Sequence, residues 1–191
     1  MTRHSAAEPR LAGDLAVWLI ICAEMLAFGI LFLSYAGARA IDVTGFNAAQ
    51  STLSLHSGAL NTVLLILGSW CVARGVQAVR QDAVPGGTRW LLGAMACGAG
   101  FLLTKSLEFS DKFAHGYDLS TNTFYMFYFL LTGFHYLHVV VAMVFLGILW
   151  VRTRQGHYGA HDTHALESGA AFWHMVDLLW IILFPLVYVL R

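Results

Sequence analysis

FWHMVDLLW, residues 172–180, lies inside an apolar run that extends from position 170 to 190. A run of about 20 residues, rising 1.5 Å per helical residue, crosses a bilayer core of about 30 Å. This one carries His174 and Asp177, three positions apart and so on one face of a helix. An acid at membrane depth costs about 2.5–3.5 kcal/mol on an insertion scale, so this face is expected to meet protein and not lipid. The rest of the chain has to supply what it meets.

Composition sets the class. The chain has 191 residues, of which 58% are hydrophobic and 12% charged, against about 25% charged in soluble domains. A membrane protein is the reading, and the 14% of aromatic residues fits a bundle with Trp and Tyr near its interfaces. The net charge is zero, which leaves no electrostatic footprint for nucleic acid. Cys22, Cys71 and Cys97 sit in apolar runs without metal-type spacing and read as buried thiols. Residues 1–10 are polar, and no short apolar core with a small-residue cleavage site follows them. The first apolar segment therefore reads as a signal-anchor helix.

Five apolar segments separate, at roughly 13–36, 57–79, 89–109, 123–151 and 169–190. The predicted fold class is all-α: one polytopic membrane domain over residues 1–191, a bundle of five transmembrane helices. The more polar stretch 38–56 has room for a short interfacial helix. Pro85-Gly86-Gly87 marks a turn between the second and third segments. Small residues at 93–100 (GAMACGAG) point to close helix packing on the third. With the N-terminus cytoplasmic, Arg3, Arg10, Arg74, Arg80, Arg89, Arg152 and Arg154 fall inside, against Arg39, Lys112 and Arg191 outside. That bias predicts N-terminus in and C-terminus out.

Counting from each helix's inner end places Glu24 about 16 Å deep, His138 about 18–20 Å and Asp177 about 12 Å, with His174 shallower and His135 deeper. Three helices thus bring ionisable groups to one layer, where mutual hydrogen bonds lower the cost of burying each. Two readings stand for this layer of Glu24, His138, Asp177, His174 and His135: a structural device that fixes helix register, or proton handling. Asp177 is expected to partner His138, with His174 on its own helix as the alternative. Lys105 is expected to snorkel to the outer interface, paired with Glu108 three positions on. Arg74 is expected to snorkel inward. Asn61 and Thr62 read as helix–helix hydrogen-bonding residues.

No catalytic, cofactor or metal residues are assigned. His135 and His138 share one helix and cannot flank the same haem, which needs ligands from facing helices. The loop histidines His157, His161 and His164, with Asp162, lack a pattern that fixes metal geometry.

Several motifs together resemble the cytochrome c oxidase subunit III family. LTGFHYLHVV, residues 131–140, is similar to that family's Thr-Gly-Phe-His-x-Leu-His-Val signature. Glu167-Ser168-Gly169 followed by FWHMVDLLW resembles its Glu-x-Gly and Trp-His-x-Val-Asp-x-x-Trp. LNTVLL at 60–65, Glu24 in AEMLAFG and the Glu108-Phe109 pair match further family segments in order. The resemblance implies a non-catalytic accessory subunit of a haem-copper respiratory complex in a bacterial inner membrane. Its expected partners are phospholipids and a large haem-containing catalytic subunit that carries the haem and the copper or iron. It also implies support of assembly, lipid packing and proton uptake.

Two departures qualify the expectation. Five apolar segments stand where longer relatives have seven, so the lipid-holding cleft those two extra helices form is not assumed. NTFYMFYFLLTGFH, residues 122–135, carries about one extra helical turn. That form resembles the branch associated with bacterial nitric oxide reductase. The competing class is a small proton-coupled transporter or channel using Glu24 and Asp177. It predicts inverted repeats or broken helix pairs, and the sequence offers only Pro185 within a helix.

Overall fold

The computed structural model describes residues 14–159 and 163–190. The expectations resting on Arg3, Arg10, Gly13, His161, Asp162 and Arg191 lie outside those residues. Six helices follow in order: α1 (Leu15–Ile41), α2 (Val43–Gln50), α3 (Leu55–Arg80), α4 (Val84–Ala114), α5 (Thr123–Arg154) and α6 (His164–Phe184). A π-helical turn, Pro185–Val189, extends α6. Five of these are long and apolar enough to cross a membrane, and α2 is the short helix expected within 38–56.

Local chemistry sets the ends. The side chains of Asp14, Asp42, Ser54 and Asn122 each accept a hydrogen bond from a first-turn amide of the helix that follows. Such caps satisfy donors that the helix itself leaves unpaired. The turn read at Pro85-Gly86-Gly87 lies earlier, at Gln81–Ala83, where Asp82 takes φ 61°. Pro85 instead occupies the first turn of α4, where its missing N–H costs no helical hydrogen bond. Gly87 serves packing: a Cβ there would meet Val79 Cγ2 at 2.5 Å and the Gly75 carbonyl at 3.1 Å.

The helices run beyond the predicted segments because their polar ends are helical too, α4 reaching Ala114 and α6 beginning at His164. The π-helical turn closes with Leu190 N–H donating to Pro185 O at 2.9 Å. It turns Tyr188 into the core, at 4% exposure.

α6 is the central helix, with 56% of its apolar window buried against 11% for α1. The small residues do bring helices together. Gly68 of α3 faces Trp173 and Cys97, Gly75 faces Leu91, and Gly98 of α4 faces Trp173 and Met143. By contrast α1 buries only Ile21, Phe28 and Tyr35, seven positions apart, and leaves Leu19, Leu26, Ile30 and Leu33 outward. A single narrow stripe thus holds α1 to α5 and α6. α2 is anchored by Phe46, which lies edge-on to Tyr35 and Phe124, and by Arg39, which donates to Asn47 Oδ1 at 2.9 Å.

Candidate functional site

The ionisable residues of the helices form separate groups and not one continuous layer. The first joins α1 to α5. Glu24 Oε2 lies 3.0 Å from His138 Nε2. The other ring nitrogen, Nδ1, is 2.8 Å from the Phe134 carbonyl of the preceding turn. A carbonyl only accepts, so Nδ1 carries a hydrogen and Nε2 is left facing the acid. Nε2 and Glu24 Oε2 are within hydrogen-bond distance of each other, so the pair offers a place for one proton between them. Phe28 and Phe134 present their rings to the imidazole at centroid distances of 5.4 and 4.6 Å. The Glu24 side chain keeps 28% of its surface, because it stands in the wall of a cleft.

That cleft, about 620 Å³, lies between α1, α5 and α6. Its walls are apolar side chains including Val17, Ile20, Val141 and Phe145, and its polar end carries Asp14, Arg152, Tyr158 and His164. Asp14 N–H donates to Ser168 Oγ at 2.8 Å and ties the start of α1 to α6 there.

The second group corrects an expectation. Asp177 does not partner His138. Its Oδ2 lies 3.8 Å from Nδ1 of His174, the neighbour on its own helix face. Ser69 Oγ of α3 is 2.5 Å from that same Nδ1. Serine and aspartate thus address one ring nitrogen, so the three residues do not form a relay in which an acid orients a base toward a nucleophile. His138 Nε2 is met instead by Glu24 of α1.

The third group corrects another. Lys105 does not snorkel; it is wholly buried. Its Nζ donates to Tyr188 OH at 2.5 Å and Tyr128 OH at 3.2 Å, and lies 3.3 Å from Glu108 Oε1. Both phenols in turn donate to that Oε1 at 2.6 Å. The expected pairing of Lys105 with Glu108 is present, but inside the bundle. Four aromatic rings, of Phe109, Tyr128, Trp180 and Tyr188, lie 4.8–5.6 Å from the ammonium. Tyr128 and Tyr188 escaped the sequence reading. The available signal was a lysine three positions before a glutamate in a long apolar helix, which demands buried partners when no interface is in reach.

His135 is fully buried, packed against Phe28, Phe101 and Trp180, and neither ring nitrogen has a protein hydrogen-bond partner. Trp180 links the groups: its ring is 5.1 Å from His135 and 5.6 Å from Lys105 Nζ, and its Nε1 donates to Thr62 Oγ1 at 3.0 Å. Asn61 Oδ1 accepts from Thr104 of α4. Asn61 and Thr62 are therefore interhelical hydrogen-bonding residues, as read from the sequence. Arg74 lies over the Trp90 ring at 5.8 Å and donates to Gln77 at 3.1 Å. Among the described residues no group of three His, Cys, Asp or Glu side chains converges as a metal site.

An all-helical, multi-pass membrane protein with acids and histidines paired inside its bundle is the class defined by these features. The family model described as cytochrome c oxidase subunit III matches residues 11–191, and the chain belongs to that family. Cytochrome c oxidase subunit 3 of Thermostichus vulcanus is 35% identical over 188 residues, covering 98% of this chain and 90% of the relative. The probable cytochrome c oxidase subunit 3 of Mycobacterium tuberculosis is 29% identical over 189 residues, covering 98% and 92%. Subunit 3 of the cytochrome bo(3) ubiquinol oxidase of Pseudomonas putida is 26% identical over 176 residues, covering 92% and 84%.

Proposed function

We propose that this chain is a non-catalytic accessory subunit of a haem-copper respiratory complex. Its partner is a large membrane subunit that carries the haem together with copper or iron. The observation that carries the reading is the Glu24–His138 pair, 3.0 Å apart, in the wall of an apolar cleft at membrane depth. A shared proton open to a cleft exchanges more readily than one sealed in a core, which supports a role in proton uptake by the partner. The cleft joins apolar walls to an arginine, Arg152, at its polar end, and that chemistry suits a phospholipid's acyl chain and phosphate. The outward apolar face of α1 supports assembly against a membrane partner.

The partner reduces oxygen or nitric oxide. The extra helical turn of residues 122–135 supports the nitric oxide reductase branch. Short length alone does not, because relatives named as oxidase subunits are covered over 90% and 92% of their length. The arginine bias supports N-terminus in and C-terminus out. Periplasmic reporter fusions are expected to be active after position 190 and inactive after position 156; the opposite pattern overturns the orientation.

The purified complex tests the whole. A haem-containing subunit is expected in stoichiometric amount, with copper marking an oxidase and non-haem iron a nitric oxide reductase. Glu24→Gln is expected to slow proton uptake while leaving the haem spectrum unchanged. A haem-free assembly, or proton uptake that ignores Glu24→Gln and His138→Asn alike, overturns the reading.

A further inference from the structure

A second cavity, about 390 Å³, lies between the amino end of α4 and the carboxyl end of α5, away from the Glu24 cleft. Val84, Pro85, Thr88, Arg89 and Leu92 line one side, and Trp150 and Arg154 the other. Arg152 and Arg154 are two positions apart on α5, about 200° around the helix. One therefore lines the Glu24 cleft and the other this cavity.

Three features give the cavity anion chemistry. Arg89 and Arg154 are exposed, and among the described residues neither has a carboxylate within ion-pairing distance. The Arg154 guanidinium lies over the Trp150 ring at 5.5 Å, which holds it at the cavity wall. The amino end of α4, which no side chain caps, adds its partial positive charge. Leu92 sets the depth. It is eight positions along α4 from Val84, about 12 Å further along the helix, and half exposed. The cavity thus runs from a cationic mouth down onto an apolar wall, a shape for an amphiphile and not for a free inorganic anion.

We propose that this cavity is a second, separate lipid site, in which Arg89 and Arg154, the latter held against the Trp150 ring, bind the phosphate of an anionic phospholipid whose chain lies along Leu92. The full chain, purified with its membrane partners in mild detergent, is titrated with phosphatidylglycerol and the bound lipids are counted by native mass spectrometry. Arg89→Gln with Arg154→Gln is expected to remove one bound phosphatidylglycerol or weaken it about tenfold, as loss of charge-assisted hydrogen bonds to a phosphate does. Arg152→Gln removes a different one if the Glu24 cleft also holds lipid, so failure of that cleft is distinguishable. Arg74→Gln, an arginine outside both cavities, is expected to change nothing. Arg89→Lys with Arg154→Lys keeps the charge and is expected to lose less than the glutamine pair. Unchanged binding in the glutamine variant, an equal loss in Arg74→Gln, an equal loss in the lysine variant, or equal binding of phosphatidylcholine overturns the proposal. Displacement of the lipid by millimolar inorganic phosphate overturns the lipid assignment and makes the site one for a soluble anion.

Discussion

Lys105 of α4 donates to the phenol of Tyr188 in the terminal π-helical turn at 2.5 Å, with neither side chain reaching solvent. Their contact fastens the end of the chain to the bundle, and Glu108 Oε1 closes the group by accepting from Tyr188 and Tyr128. An α-helical continuation past Pro185 would give Tyr188 a different direction. The π turn and the buried ion pair therefore belong to one arrangement.

Removing one member of a buried ion pair leaves a charge without a partner, whereas removing both leaves none. Lys105→Met is expected to destabilise the bundle by about 3–5 kcal/mol, and Lys105→Met with Glu108→Leu by clearly less. Thermal unfolding of the purified protein in detergent reads the difference. Losses that simply add would show that the pair does not act as a unit.

The proton on His138 has an assigned place. Phe134 O accepts from Nδ1, so the Nδ1 resonance in a nitrogen-15 spectrum is expected to be that of a protonated nitrogen. The Nε2 resonance is expected to move on Glu24→Gln, because that nitrogen faces the carboxyl. A bare Nδ1 would sink the shared-proton account of the pair.

Trp180 couples α6 to α3 through Thr62 and packs against His135 and Lys105. Thr62→Val removes one interhelical hydrogen bond, worth about 0.6 kcal/mol on average between membrane helices. Trp180→Ala also opens a cavity, at about 3–5 kcal/mol. Once Trp180 is gone, Thr62→Val is expected to cost nothing further. Equal costs of Thr62→Val in both backgrounds would show that the hydrogen bond is not made.

Helix existence was legible in the sequence because apolar length is a strong signal, and so was the family, because LTGFHYLHVV and FWHMVDLLW carry polar residues where membrane helices seldom do. Partner choice was not. Depth along each helix placed Glu24, His138 and Asp177 at one level, but depth says nothing of rotation, and rotation gave His138 to Glu24. Lys105 was misread for a related reason: its position near a helix end allows snorkelling, and the partners that make its burial tolerable, Glu108, Tyr128 and the inward-turned Tyr188, come together only in the folded bundle. A π turn depends on tertiary packing around Pro185, which no local pattern in WIILFPLVYVLR announces.

Glycine positions offer a last test of the packing. A Cβ on Gly98 would lie 2.9 Å from Trp173 Cη2 and still closer to Met143 Sδ, between α4, α5 and α6. Met143 is flexible and yields, but Trp173 is fully buried and its ring has no free space to enter. Gly98→Ala is expected to destabilise the bundle by about 1–3 kcal/mol, the usual cost of overpacking. Gly133 of α5 has no neighbouring heavy atom within 4 Å of such a Cβ. Gly133→Ala relieves the helix of a residue with excess conformational freedom and is expected to stabilise by about 0.4–1 kcal/mol. Melting temperatures of the two variants in one detergent should therefore move in opposite directions. A gain in Gly98→Ala, or a loss in Gly133→Ala as large as that of Gly98→Ala, would show that α4 does not press on Trp173 as described.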